Sequence, residues 1–258
     1  MQNGRSTFKL SGMDALYHNT DIVEVYDAIN TSREDFDFYI GELPIAPATV
    51  LDVGCGTGTF ALDLAQRGYM VTAIDPAPQM VARAAQKDTH GSVEWVTGLV
   101  SDLVSNSKFD VAIMTGHAFQ CLLDDTQVFT LFNAVEKRLR IGGAFWLETR
   151  NPAAKSWLRW TPEHATRPIA LGGDRSVQVV HELLEVKDDL VTFKERYSFN
   201  DQLGTLTSQS TLRFMEFDEL KCIATKYGLK LLEVFGNWQR EPLVADSPEI
   251  IIRLMKDA

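Results

Sequence analysis

Cysteine is scarce in this chain of 258 residues, and no run of apolar residues is long. The three cysteines, Cys55, Cys121 and Cys222, are odd in number and far apart, and none belongs to a C-x-x-C pair. That pattern argues against a disulfide framework and against a thiolate metal site, and it predicts reduced thiols in a cytosolic setting. No stretch approaches the ~18 apolar residues of a membrane span. The opening MQNGRSTFKLSGMD lacks the apolar segment of a secretory leader. Positive charge is in deficit, with 25 Lys and Arg against 35 Asp and Glu, a net charge of -10. Such a balance speaks against a partner gripped by phosphate neutralisation, bulk DNA or RNA, while leaving room for a locally basic pocket. Repeats and low-complexity tracts are missing as well. The expectation is a soluble, cytoplasmic protein with no nucleic-acid and no membrane partner and no metal.

What the chain has is apolar material, 45% of its residues, enough for a large core. Between residues 50 and 149 strand and helix patterns alternate. Apolar runs at 50–53, 70–74, 92–97, 109–114 and 144–149 read as strands covered on both faces. Helical spacing fills the intervals at 58–67, 77–86 and 124–140, the last with Asp124 and Gln127 as a capping box. In this reading Gly142 and Gly143 form the turn into the fifth strand. The alternation predicts a parallel, doubly wound sheet. Two helices are expected before it, over 21–29 and 32–43. After it the period changes: 177–186, 190–199 and 205–214 alternate like an antiparallel meander. A helix over 217–227 and strands at 229–236 and 249–255 close the chain.

The stretch VLDVGCGTGTF, from Val50 to Phe60, sets three glycines at the end of the first strand. A strand that runs through glycines into a helix offers bare backbone N–H groups to a ligand. In open α/β sheets that ligand lies beyond the carboxyl ends of the strands. Asp75 closes the second strand, nineteen residues beyond Gly56, where an acid would hold ribose hydroxyls. The dinucleotide fingerprint G-x-G-x-x-G/A is not met, because Thr59 stands where the third small residue belongs and the third glycine is Gly58. Asp52, two residues before Gly54, suits an ammonium group better than a pyrophosphate.

LDVGCGTG, Asp75, the SDL of Ser101–Leu103, FDVAIM and LRIGGAFWLE resemble the ordered motifs of class I S-adenosylmethionine-dependent methyltransferases, over about residues 49–149. LRFMEFDELKCIATKYGLKLLEVFGNW is similar to the C-terminal end of that fold in small-molecule members. The resemblance implies a Rossmann-like, seven-stranded α/β sheet with the last strand antiparallel, and S-adenosylmethionine as cofactor with S-adenosylhomocysteine as product. It places Gly54, Gly56 and Gly58 near the methionine moiety and ribose. Asp52 would orient the loop and meet the ammonium, and Asp75 would hold the ribose. Ala77 and Met80 would lie near the adenine, with Asp102 accepting from its amino group and Leu103 packing beside it. Thr115 and His117 would border the methionine portion and the transferred methyl. His117 is the candidate proton acceptor. Tyr26, in VEVYDAI, is similar to an element placed as a lid over the cofactor.

The division expected is a core of residues 1–153 and 214–258, with an antiparallel β insertion at 154–213 between the fifth and sixth strands. Because the fifth strand ends on the ligand side, the insertion should cap the substrate site, and it offers a surface for a homodimer. Trp157, Arg159, Trp160, Arg167, Trp238 and Arg240 are pocket candidates. The function expected is methyl transfer to a small-molecule N or O acceptor by in-line displacement. A cofactor-binding protein without methyl transfer is the alternative, with an NAD-dependent oxidoreductase weaker still because of the glycine spacing. No N-P-P-Y-type tetrapeptide follows the fourth strand, where MTGHAFQ stands.

Overall fold

The computed structural model describes residues 14–104 and 106–257; most of the opening segment read above as lacking a leader lies outside them. Two short N-terminal helices, α1 (Ala15–His18) and α2 (Thr20–Ile29), are followed by α3 (Glu34–Glu42). The alternating part then runs β1 (Thr49–Val53), α4 (Thr59–Gln66), β2 (Met70–Asp75), α5 (Pro78–Lys87), β3 (Val93–Thr97), β4 (Phe109–Met114), α6 (Asp125–Arg138) and β5 (Leu139–Arg150). Next come β6 (Ile169–Gly172), β7 (Arg175–Lys187), β8 (Leu190–Phe199) and β9 (Thr205–Arg213), then α7 (Phe217–Lys226), β10 (Leu229–Phe235) and β11 (Glu249–Lys256).

The strands form two sheets. Seven make the order β10-β11-β5-β4-β1-β2-β3, and four make β6-β7-β8-β9. In the large sheet β1 is central, paired in parallel with β2 and β4, while β11 runs antiparallel to both β5 and β10. This is the doubly wound architecture that the alternation predicts, with the reversed last strand that the resemblance implies. Successive residues of a strand face opposite ways, so Val50 joins a cluster with α3 and α4 while Leu51 joins one with α6 and α7. Both are fully buried, which is why the strand reads as continuously apolar. Among the described residues no helix is long and apolar enough to cross a membrane.

Two expectations are corrected. The helix α6 begins as predicted, with Asp124 accepting from the Gln127 N–H at 2.9 Å, but it stops at Arg138, and β5 starts at Leu139, paired with Phe109. Gly142 and Gly143 are therefore inside the strand, at a register shift between Phe109 and Val111. A Cβ on Gly143 would stand 2.9 Å from the Arg140 carbonyl and 3.1 Å from those of Phe109 and Asp110. Glycine here permits close approach of backbones rather than a free turn. The second sheet also has a fourth strand, β6, whose four residues were too few to carry a visible alternation.

The N-terminal helix α2 lies between the sheets. Its Ile22 and Val25 pack against Val177, Val179, Tyr197 and Phe199 of the four-stranded sheet. Its Val23 and Tyr26 pack against Ala77 and Met80 at the start of α5.

Candidate active site

The loop from Gly54 to Gly58 leaves β1 at its carboxyl end. The N–H groups of Gly54 and Cys55 donate to the Ile74 carbonyl, and that of Gly56 donates to Asp75 Oδ2 at 2.9 Å. All three glycines have positive φ, 72°, 53° and 77°, but each has its own surroundings. A Cβ on Gly54 would lie 2.8 Å from the Ala118 Cβ, so this glycine lets the turn after β4 close on the loop. At Gly56 a Cβ would meet nothing within 4 Å, and the backbone there faces open space. On Gly58 a Cβ would collide with the Trp95 ring and stand 2.7 Å from the Ala84 Cβ. Gly58 is therefore required by packing against Trp95 and Ala84, whatever its distance from the ligand.

The two acids differ sharply. Asp75 is held by the N–H groups of Gly56 and Ala77, the latter at 2.8 Å. Burial still raises its pKa against those bonds. Asp52 is fully buried and neither of its carboxylate oxygens has a hydrogen-bond partner. It makes no bond to the loop, so it does not orient the glycines as expected. Burial, with the nearby Asp75 charge adding, pushes its pKa up to about 7. An unpartnered buried carboxylate is costly, by roughly 1–3 kcal/mol or more. The ammonium end of S-adenosylmethionine would relieve that cost. The residues present thus fit the cofactor: an orphaned acid at the end of β1, a glycine facing open space, and a second acid at the end of β2.

The N-terminal helices α1 and α2 lie as a lid over the start of α5. Ala77 and Met80 are buried under Val23, with Tyr17 and Tyr26 packed against them. Tyr17 Oη lies 3.5 Å from Cys121 Sγ. The lid is pinned by Asp27, which the sequence reading did not single out. Its Oδ1 accepts from the hydroxyls of Thr57 and, at 3.1 Å, Thr59; its Oδ2 accepts from Lys87 Nζ at 2.7 Å. Burial acts to raise the pKa of Asp27, but Lys87 and the two threonines outweigh it and hold it low. The signal was available: Asp27 follows Tyr26, and Thr57 lies between two of the glycines.

Asp102 has a structural partner of its own. It is exposed, and its Oδ2 accepts from the Leu99 N–H at 2.9 Å, closing a single 3₁₀ turn. An aspartate at that spacing caps its own turn. Leu103 is buried in the core cluster shared with α6, not beside an open cleft. Thr115 is buried just beyond β4, where its carbonyl accepts from the Ala118 N–H.

His117 sits in the left-handed region, φ 57°. Its N–H donates to Glu148 Oε1 at 2.8 Å, and its Nε2 is 2.9 Å from Glu249 Oε2. Glu148 is fully buried and also accepts from the Tyr39 hydroxyl. Burial raises its pKa to about 8 in spite of those two donors. Burial also lowers the pKa of His117, with Arg150 adding and Glu249 opposing. The residue is thus tied, through its backbone N–H and Nε2, into a bracket joining the turn after β4 to β5 and β11. Arg150 Nη1 donates to Gln120 Oε1 at 2.8 Å, and its guanidinium lies 5.7 Å from the Trp160 ring centre.

The other pocket candidates divide. Trp238 packs edge-on against Phe38 and Tyr39, and Arg240 pairs with Glu42. Trp157 is buried against Phe214, and Trp160 stacks on Phe193. Arg159 and Arg167 are exposed. Two open surface clefts, of about 470 and 390 Å³, lie at the amino ends of the strands and beside α4. The first borders none of the candidate site residues; the second touches only Asp27, Thr59 and Lys87 of the lid pin.

A Rossmann-like sheet with a glycine loop, two acids at its carboxyl end and a helical lid defines a binding fold for a nucleoside-type cofactor. Residues 50–143 match the family model described as methyltransferase domain. A cypemycin N-terminal methyltransferase from a Streptomyces species is 26% identical over 246 residues, 93% of this chain and 98% of that one. Among solved structures, an S-adenosylmethionine-dependent methyltransferase from Clostridium acetobutylicum ATCC 824 is similar with a TM-score of 0.74 at 17% identity, covering 93% of this chain and 99% of that one. An amino pentose methyltransferase from Micromonospora echinaspora, solved with S-adenosylmethionine bound, has a TM-score of 0.65 at 21% identity over 89% and 94% of the two chains. Residues 50–143 thus match a methyltransferase domain, and the chain as a whole has the fold of S-adenosylmethionine-dependent methyltransferases.

Proposed function

We propose that the protein transfers the methyl group of S-adenosylmethionine to a nitrogen or oxygen of a small-molecule acceptor, held between the carboxyl end of the large sheet and the four-stranded sheet. The observation that carries this reading is the closure of the lid: Tyr17 reaches Cys121, and α2 is wedged between both sheets. A site so roofed suits an acceptor that can be enclosed. The names of two relatives are compatible with it, one acting at the N terminus of cypemycin and one on an amino pentose.

The cofactor supplies an electrophilic methyl on a sulfonium centre. Asp52 meets its ammonium, Gly56 lets the backbone approach, and Asp75 takes the ribose hydroxyls in place of water. Ala77 and Met80 line the adenine side, with Tyr26 above them. Thr115 and the turn held by Glu148 border the methionine portion. The chain's contribution to rate is positioning and exclusion of water, since in-line displacement from a sulfonium needs alignment above all. Residues 154–213 form the acceptor side as a second structural unit.

Calorimetry with S-adenosylmethionine, S-adenosylhomocysteine and NAD, followed by a scan of small acceptors, tests the proposal. Binding of the first two and transfer to a small acceptor is the expected result. Transfer only to a folded protein or an RNA would overturn the acceptor class.

A further inference from the structure

The inner face of the four-stranded sheet is apolar except along one row and at Ser210 in the row beside it. Toward one end Val177, Val179, Tyr197 and Phe199 pack on α2, and toward the other Val191 packs with Trp157 and Phe214. Between them the register sets His181 opposite Glu195, and Glu195 opposite Ser208. His181 Nε2 lies 2.9 Å from Glu195 Oε1. Glu195 Oε2 accepts from the Tyr197 hydroxyl at 2.7 Å and from Ser208 Oγ at 3.2 Å. A carboxylate offers about four acceptor positions, so one remains, on Oε1. Opposite Phe193, two residues beyond Ser208 on β9, Ser210 is 6% exposed and its hydroxyl has no partner. A fold gains nothing from a buried, unpaired hydroxyl unless something else meets it.

The lid faces this row. Asp14 Oδ1 accepts from the Leu16 N–H at 3.0 Å, while its Oδ2 is buried and without a partner. The charge of Glu195 acts on Asp14 and on Tyr26. That of Asp14 acts on Tyr17 and Cys121, and that of Asp75 acts on Tyr26 and Cys121. The geometry joins the same groups: α1 lies against β9 and α5, and α2 packs on Val179 and Tyr197 beside the polar row and on Ala77 and Met80 beside the cofactor loop. On the methyl-transfer reading above, we propose that the acceptor is a protonated primary or secondary amine, that Glu195 receives its ammonium group, and that Asp14 takes the proton it must lose.

Two carboxylates and two tyrosine rings favour a cation, and a neutral hydroxyl acceptor makes no use of them. An ammonium nitrogen has no lone pair to attack with. One N–H bond breaks and the proton passes to Asp14 Oδ2. The freed electron pair forms the N–C bond as the C–S bond breaks, and that bond's pair stays on sulfur. The product nitrogen then carries the positive charge that the sulfonium had, and Asp14 releases its proton to water. The two acids suit these different tasks. Burial raises the pKa of Asp14 to about 6, with Glu195 adding and the backbone N–H groups of Leu16 and Gln209 and the charge of His18 opposing, so it can hold a proton and give it up. Burial acts on Glu195 too, but His181, Tyr197 and Ser208 outweigh it and keep it ionised. The groups around Asp14 are His18 and Tyr17 of the lid, Glu195 and Tyr197 of β8, and Cys121 beyond β4.

The test uses the full chain with S-adenosylmethionine and a panel of amines: peptides with free N termini, amino sugars and alkylamines, each beside its hydroxyl counterpart. Amines should be methylated and hydroxyl counterparts not. Glu195→Gln should lower kcat/KM for the best amine by about 10–100-fold, mostly through KM, with cofactor affinity by calorimetry unchanged. Asp14→Asn should lower kcat and remove the acid limb of the pH profile near 6. Ser210→Ala, which removes the unpaired hydroxyl, should keep or raise Tm while lowering kcat/KM, a split that a structural role would not produce. Glu182→Gln, on the opposite and exposed face, is the control. Transfer to hydroxyl compounds but not amines, or wild-type kcat/KM in Glu195→Gln, overturns the amine site and leaves the methyltransferase reading intact. A protein that binds the cofactor and methylates none of the amines also overturns it. Failure to bind S-adenosylmethionine would instead remove the reading on which it rests.

Discussion

The two sheets of this protein present their polar groups in different ways. In the seven-stranded sheet the buried acids stand at or near the carboxyl ends of strands, Asp52 and Asp75 beside the glycine loop and Glu148 in β5. In the four-stranded sheet the polar groups run across the strands in a row, with His181, Glu195 and Ser208 joined only by register. Strand ends in a parallel sheet converge on one rim, so short motifs carry that chemistry. A face of an antiparallel sheet gathers its chemistry from separate strands, each contributing one side chain. The first arrangement serves a cofactor common to a family; the second is open to change one residue at a time.

The largest effect should come from the strand-end motif. Gly58→Val places a branched side chain at φ 77° against Trp95 and Ala84, and about 3–5 kcal/mol of stability should be lost. Gly56→Ala, where space is open, should cost only about 1–2 kcal/mol of backbone strain yet weaken cofactor binding. Denaturant unfolding and calorimetry on the two variants separate packing from approach. If both lose stability equally and bind equally, the distinction between the glycines fails.

Next in size is the joint between the regions. Ile22 is fully buried between α2 and the four-stranded sheet. Ile22→Ala should cost about 2–4 kcal/mol. It should also raise KM for S-adenosylmethionine, because Tyr26 shares the helix. A stability loss with unchanged KM would show that the lid docks independently of the second sheet.

Electrostatics give a smaller, pH-dependent effect. Asp14, Asp52 and Glu148 have folded-state pKa values of about 6, 7 and 8, all above their ordinary values. Between about pH 4 and 8 the folded chain holds protons that the unfolded chain has lost, so stability falls as pH rises through that window and levels off above it. Asp52→Asn should flatten the slope between pH 5 and 7 and raise the Tm of the cofactor-free protein at pH 8. It should weaken S-adenosylmethionine binding at the same time. A steeper slope in the variant would refute the buried-acid account.

The smallest effect is expected at Asp102. Removing its cap on Leu99 should cost about 0.5–1 kcal/mol, with cofactor affinity unchanged. A tenfold loss of affinity in a folded Asp102→Ala protein would restore it to the adenine site.

The sequence by itself determined the large sheet, the place of the glycine loop and the acid nineteen residues on, because apolar period, glycine and strand-end acids are local signals. The same was true of α6 at its start, where a capping pair is three residues apart. Its end was not legible: Leu139 continues a helical stripe, and only pairing with Phe109 made it strand. The tertiary structure alone decided that Gly58 packs on Trp95, that Asp102 turns back on Leu99, and that His117 is bound by Glu148 and Glu249. Each depends on a group distant in sequence or on a side chain's direction, which spacing does not encode. It alone brought Asp27 to Thr57 and Lys87, and set His181, Glu195 and Ser208 side by side. A row across an antiparallel sheet exists only once register is chosen, and register is chosen by the burial of whole faces rather than by any one residue.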